Sequence, residues 1–208
     1  MTNYMPNELF GNFLLFLIPA IFIGVTLVII LVKREYKKTI RVLEGQAIKR
    51  NGRVVSVFLA YPKLIFNYHA NEITVYFTAG SKYSPPHTHF NLTFNILSNQ
   101  KMFIFKEGTL SKIGKMFGLQ DIQIDYDSFD KEVIIRGTDE YFIKSILTID
   151  IQDKILSIDK KLNLYIKLDE TGLELTVADI IRDDQTFDKF IDLGLALFDK
   201  IREKSGSY

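Results

Sequence analysis

The chain lacks cysteine and tryptophan, and it has only 5 prolines in 208 residues. Without cysteine there is neither a thiol nucleophile nor a thiolate metal ligand, and the composition agrees with a reducing compartment. Lys plus Arg number 26 against 25 for Asp plus Glu, so the chain as a whole has no polyanion-binding footprint. A P-loop, a dinucleotide glycine fingerprint and a G-x-S-x-G elbow are also absent. The sequence therefore predicts no cofactor and no catalytic residue.

Charge is missing from one long stretch near the N-terminus. No charged side chain occurs from Leu9 to Val32, and Lys33 then ends the run. About 20 apolar residues in a helix match the thickness of a bilayer's hydrocarbon core, so we predict a transmembrane helix over residues 10–32. A cleavable signal peptide would need a basic start and a small-residue cleavage motif, and neither is present.

Basic residues follow this stretch and predict its orientation. The segment before it carries only Glu8, whereas Lys33, Arg34, Lys37, Lys38 and Arg41 follow it and are the predicted membrane interface. The positive-inside rule then places the N-terminus outside and the C-terminal domain in the cytoplasm, as a single-pass protein of the cell membrane. The lipid bilayer is the first predicted partner.

The remaining sequence divides into a short helix and one larger domain. We expect an extracytoplasmic N-terminus over 1–9, a basic juxtamembrane helix over 33–50, a soluble α+β domain over 51–204 with a subdivision near 106–120, and a tail over 205–208. Tyr36, Ile40, Leu43 and Ala47 form one stripe of the juxtamembrane helix. The stripe either pairs two copies of the chain in a homodimer or packs on the protein's own domain.

Alternating patterns dominate the larger domain. Apolar and polar residues alternate in 64–69, 73–78, 87–96, 162–168 and 173–177, which is typical of antiparallel strands with one wet face. Two short helical patterns follow Gly137, with Thr138 as the predicted cap of the first, and a long amphipathic helix follows Asp183. The predicted fold class is α+β: an N-terminal transmembrane helix, a cytoplasmic antiparallel sheet with helices on one face, and a long C-terminal helix.

Histidines give the sharpest local pattern. His87 and His89 stand two residues apart on a predicted strand, so both rings emerge on one face, and His69 lies in a neighbouring strand. Three imidazoles can hold zinc or a similar metal. The alternative is a solvent-facing row in which His87 and His89 continue into Asn91, Thr93 and Asn95. The sequence leaves both interpretations open.

Three segments carry a resemblance to a known group of proteins. They are Tyr61-Pro62-Lys63-Leu64, His87-Thr88-His89-Phe90 and the run from Phe129 to Glu140. With them, residues 50–203 resemble widespread prokaryotic single-pass membrane proteins whose function is unassigned. The resemblance implies the same architecture and supplies no active-site residues.

Three functions remain open at this level. The leading hypothesis is a membrane-anchored, non-enzymatic binding or scaffold domain that serves as an accessory subunit of a membrane complex and has a protein partner there. The alternatives are a membrane-tethered metal enzyme using His87 and His89, and a lipid-binding module. Nucleic acid is not a predicted partner, because the aromatic residues alternate as core residues do and lack interleaved basic residues.

Overall fold

The computed structural model describes residues 7–56, 61–94, 100–106 and 119–205. The chain divides into two units, Met1–Thr39 and Ile40–Tyr208. Helix α1, Asn7–Lys49, supplies the described part of the first unit and the first residues of the second. The helix ends beside Asn51-Gly52, where the sequence predicts a break. The predicted subdivision near 106–120 falls mostly outside the described residues, as does Asn95 of the predicted polar row.

The predicted transmembrane helix is wrong. Among the residues that the structure describes, no helix combines the length and the apolar character needed to cross a membrane. The prediction rested on about 20 apolar residues without charge between Leu9 and Val32. In the structure this stretch is part of the 43-residue helix α1, which continues through the charged residues that follow it. The inside–outside orientation derived from Lys33, Arg34, Lys37, Lys38 and Arg41 rested on that span and falls with it.

The second unit is built on one antiparallel sheet. Nine strands of the described residues are joined in the order β1-β2-β3-β4-β9-β8-β5-β7-β6, and every neighbouring pair is antiparallel. The strands are β1 Arg53–Val55, β2 Lys63–Tyr68, β3 Asn71–Thr78, β4 His87–Thr93, β5 Met102–Lys106, β6 Gln120–Ile122, β7 Val133–Gly137, β8 Tyr165–Asp169 and β9 Gly172–Val177.

Helical segments accompany the sheet, of which the two after Gly137 and the long one after Asp183 lie at predicted places, whereas the short helix at 127–130 and the 3-10 turn at 160–162 were not predicted. They are α2 Asp127–Asp130, α3 Glu140–Ile146, α4 Ile149–Ser157, a 3-10 turn Lys160–Leu162 and the long α5 Asp184–Ser205. The predicted cap of α3 is off by one residue. Asp139 is the N-cap and its carboxylate accepts a hydrogen bond from the Phe142 amide at 2.9 Å, whereas the Thr138 hydroxyl accepts one from the Lys101 amide. The stronger capping group at the next position decides this.

The two faces of the sheet differ in what covers them. Inward-pointing side chains of β2, β3, β4, β9 and β8 are buried with the apolar stripes of α3, α4 and α5 in one core. The alternate side chains of the same strands, apart from the buried Asp169, are half-buried or exposed and form what we call the open face. The α+β class with helices on one side of an antiparallel sheet is thereby confirmed, and so is the long C-terminal helix.

Helix α5 crosses the sheet at a point that requires glycine. A Cβ atom on Gly194 would lie 2.7–2.9 Å from three ring carbons of Phe90, which is fully buried on β4. Carbon atoms do not approach that closely without strain, so the absent side chain lets the helix backbone sit directly on the ring. This contact fixes the position of α5 over the central strands.

The last turn of α1 is attached to the first turns of α5 by charged groups. Lys49 contacts the Asp188 carboxylate at 2.7 Å, and Arg50 contacts Asp188 at 3.3 Å and Asp192 at 2.9 Å. Beside them Leu43 and Ala47 are buried in the core. The stripe that contains Leu43 and Ala47 therefore packs, in this part of α1, on the protein's own domain.

Candidate binding surface on the open face

A row of side chains crosses four strands of the open face in register. Tyr76 on β3 pairs with His89 on β4, His89 with Thr176 on β9, and Thr176 with Tyr165 on β8. Directly paired residues in antiparallel strands point to the same face and lie close enough to interact. The Lys63 ammonium continues the row, 5.6 Å from the centre of the Tyr76 ring. We call these five residues the central row.

His89 lies at the centre of this row and is held on three sides. Its Nε2 lies 3.0 Å from the Thr78 hydroxyl, and its Nδ1 lies 3.1 Å from the Thr176 hydroxyl and 3.4 Å from the Glu174 carboxylate. The ring also stacks on Tyr76, with 4.7 Å between centroids and 11° between planes. Only 14% of the His89 side chain is exposed. The imidazole therefore has a fixed orientation on a surface that is otherwise open.

Electrostatics keep this surface in a defined protonation state. The hydrogen bond from His89 holds the pKa of Glu174 below its usual value, although burial opposes the shift. Burial, followed by the Glu174 charge, raises the pKa of Tyr76. Burial, Glu174 and Asp169 together raise the pKa of Tyr165 to about 12. At neutral pH the surface thus offers an ionised Glu174 carboxylate near the hydroxyl groups of Tyr76 and Tyr165, which remain protonated.

A second row runs parallel to the first and is displaced from it by two residues on each strand. It joins side chains of eight strands in register, most of them polar or charged: Ile65, Thr74, Asn91, Glu174, Lys167, Phe103, Arg136 and Asp121, of which the last two lie on β7 and β6. Arg136 donates to Asp121 at 2.7 Å, and Lys167 contacts Asp169 at 2.5 Å. The row carries two carboxylates, Glu174 and Asp121, and two cations, Lys167 and Arg136, so its charges balance.

The structure brings together two of the three histidines proposed as metal ligands. The rings of His87 and His89 lie 5.9 Å apart. His69 lies in the β2–β3 turn, at the opposite end of β3 from Thr78, the residue that pairs with His87. An eight-residue strand separates these ends by about 25 Å. His69 instead contacts Asp199 of α5 at 3.4 Å. In the described ranges no three His, Cys, Asp or Glu side chains are grouped as a metal site.

Among the residues that the structure describes, one cation is deeply buried, and it has a structural partner. Lys106 at the end of β5 is 3% exposed and donates to the carbonyl oxygens of Ile158 and Leu156 at the C-terminal end of α4. Burial lowers the pKa of Lys106, and the nearby Glu132 carboxylate partly opposes this. Carbonyl groups at the end of a helix carry partial negative charge, so the ammonium caps α4.

The predicted basic interface is exposed throughout. Lys33, Arg34, Lys37 and Lys38 are exposed in the first unit and Arg41 is exposed in the second. Lys38 also contacts Glu35, one turn away, at 2.9 Å. Before them, α1 displays exposed large apolar side chains: Leu17, Ile18, Ile21, Phe22, Ile23, Val25, Leu27, Ile30 and Leu31.

Sequence reasoning recognised part of the open face and missed its centre. The polar row of His87, His89, Asn91 and Thr93 was predicted from the alternation of β4. Tyr76, Glu174 and Thr176 were assigned to the wet sides of their own strands, but nothing local indicates that β4 pairs with β9, more than 80 residues later. Only that pairing makes these residues neighbours of His89.

The fold and this surface define an α+β protein with a single antiparallel sheet, helices on one face and an ordered polar surface on the other. A similar fold occurs in the crystal structure of the mycobacterial trehalose monomycolate transport factor A, TtfA. The TM-score is 0.53 at 9% sequence identity, over 78% of this chain and 93% of that one. Similarity at this identity concerns the fold. No protein-family model matches the chain, and neither does any curated protein.

Proposed function

We propose that the protein is a membrane-associated, non-enzymatic binding protein whose open sheet face docks a protein partner in a membrane complex. The observation that carries the proposal is the central row, in which His89 is held by Thr78, Thr176 and the Tyr76 ring. Oriented tyrosine and histidine side chains lose little conformational entropy when a partner covers them. An ordered row of this kind on an uncovered sheet face is suited to recognition.

Two observations support a location at a membrane. The nine exposed apolar side chains between Leu17 and Leu31 each gain about 1.5–3 kcal/mol on transfer from water to an apolar environment. An exposed apolar surface of that size indicates contact with lipid or with another protein. The neighbour in fold is named a transport factor, so a membrane transport complex is the first assembly in which to search for the partner.

The experiment is a comparison of two charge substitutions in the full chain. Asn91→Arg places a cation in the exposed middle of the open face, and Gln185→Arg places the same cation on an exposed position of α5. Tagged wild-type and variant chains are extracted from their native membrane in mild detergent and analysed by quantitative mass spectrometry. A stoichiometric partner should accompany the wild type and Gln185→Arg, and Asn91→Arg should lose it.

Other results would contradict the proposal. If the wild-type chain emerges alone, no stable partner exists. If the partner stays with Asn91→Arg, or leaves both variants equally, the open face is not the docking surface.

A further inference from the structure

The cations that follow the apolar part of α1 lie on one side of the helix. At 100° per residue, Lys33, Lys37, Arg34 and Lys38 occupy an arc of about 140°, and all four are exposed. We call them the basic stripe. Glu35 lies beyond the edge of this arc and contacts Lys38. Four cations and one carboxylate leave the segment a net charge of +3, concentrated on one side.

From this arrangement we infer that the basic stripe binds the headgroups of anionic phospholipids. The inference rests on the membrane association proposed above and adds to it a choice among lipids. Leu31 is an exposed apolar residue, and the stripe begins two residues after it, which is about 3 Å along the helix axis. The cations therefore lie where apolar side chains end, at the depth of lipid headgroups if the apolar side chains contact hydrocarbon.

Charge complementarity selects the occupant. A lysine or arginine near an anionic bilayer surface increases partitioning about fivefold, so a net charge of +3 corresponds to roughly 100-fold. Nucleic acid is another polyanion, but its charged backbone has no hydrocarbon surface that could bury the adjoining apolar side chains. The paired arrangement of an apolar surface and a cationic stripe matches a lipid surface on both counts.

The test uses the full chain and two kinds of vesicle. The protein is diluted from detergent into phosphatidylcholine vesicles, or into vesicles that mix phosphatidylcholine with phosphatidylglycerol, and binding is measured by flotation. Wild-type protein should bind the anionic vesicles roughly 100-fold more tightly at low salt, and this preference should shrink at high salt. A variant without the basic stripe should bind both kinds of vesicle equally. It carries four substitutions: Lys33→Gln, Arg34→Gln, Lys37→Gln and Lys38→Gln.

A matched control carries four charge losses elsewhere. This variant lacks four exposed lysines of the second unit and should keep the wild-type preference for anionic vesicles. Its substitutions are Lys131→Gln, Lys161→Gln, Lys189→Gln and Lys204→Gln. If this control loses the preference as well, overall charge is responsible and the inference fails.

The remaining outcomes separate the inference from the proposed function. Equal binding of wild type to both vesicles would overturn the assignment of the stripe and leave membrane association intact. Binding to neither would overturn both. Displacement of the protein from anionic vesicles by a short DNA duplex at equal charge concentration would assign the stripe to polyanions in general and overturn the choice of lipid.

Discussion

On β4, Phe90 is fully buried beneath α5, while the next residue, Asn91, is exposed on the opposite face of the same strand. The contrast extends over the sheet. On the covered face large apolar side chains meet helices, and a close contact such as Gly194 on Phe90 leaves no room for change. On the open face, by contrast, polar groups such as His89 are ordered by neighbours while remaining near solvent. The covered face thus supplies most of the buried apolar contacts, whereas the open face presents polar groups that helices α3, α4 and α5 do not cover.

The largest effect should come from a substitution that opens the covered face. Phe90→Ala removes a fully buried ring and should lower the free energy of unfolding by about 3–5 kcal/mol. Asn91→Ala on the open face should change it by less than about 0.5 kcal/mol. Urea titration of the full chain, followed by far-UV circular dichroism, measures both. Similar losses for the two variants would remove the distinction between the faces.

A smaller loss should follow from adding one methyl group at the helix crossing. Gly194→Ala forces a Cβ against the Phe90 ring and should cost about 1–3 kcal/mol, despite the better helix propensity of alanine. The same urea titration measures it. In a Phe90→Leu background the alanine should cost less, because the smaller side chain gives way. Equal costs in both backgrounds would show that the contact does not determine the packing of α5.

The charged attachment of α1 to α5 should contribute less again. Asp188 is 31% exposed and contacts both Lys49 and Arg50, whereas Asp192 is 60% exposed and contacts Arg50 alone. Asp188→Asn should therefore destabilise the chain by about 1–2 kcal/mol, and Asp192→Asn by under about 1 kcal/mol. The measurement is the urea midpoint at neutral pH.

The effect of Asp188 should also depend on pH. Burial acts to raise the pKa of Asp188, but hydrogen bonds from Lys49 and Arg50 outweigh it and lower the pKa from 3.8. A carboxylate whose pKa is lower in the folded state stabilises fully above its unfolded pKa, and this contribution disappears as the pH falls through the folded value. The difference between wild type and Asp188→Asn should accordingly shrink below about pH 4. A constant difference would assign the effect to packing.

The covered face was largely predictable because its signals are local. The buried stripe of α5, from Phe187 to Ile201, and the alternation of β9 are confirmed. The alternation of β8 is confirmed from Leu164 to Leu168, whereas Leu162 lies in a 3-10 turn before the strand. The position of β5 between β7 and β8 was not predictable. Several strands could pair with β5, and the alternation of apolar and polar residues does not indicate which of them does.

The open face was predictable only strand by strand. His69 and His89 look equivalent in the sequence, yet the antiparallel course of β2, β3 and β4 sends them to opposite ends of the sheet. Conversely, Glu174 lies 85 residues from His89 and becomes its partner. A surface assembled from cross-strand neighbours depends on long-range pairing, which single-strand patterns do not contain.

A small effect on stability should come from the centre of the open face, and it should be visible in the protonation of a neighbour. His89→Ala removes a hydrogen-bonded ring that is still near solvent and should cost about 1 kcal/mol or less. Because the hydrogen bond from His89 is the main cause of the lowered pKa of Glu174, the same variant should raise that pKa toward its usual 4.5. Carboxylate carbon shifts in an NMR titration of the full chain would show the change. The control Thr78→Val removes the partner of Nε2 and leaves the contact of Nδ1 with Glu174 in place, so the pKa of Glu174 should stay low. A pKa that rises equally in both variants would mean that general exposure of the face, rather than His89, sets the charge on Glu174. The central row would then not be a preorganised binding surface.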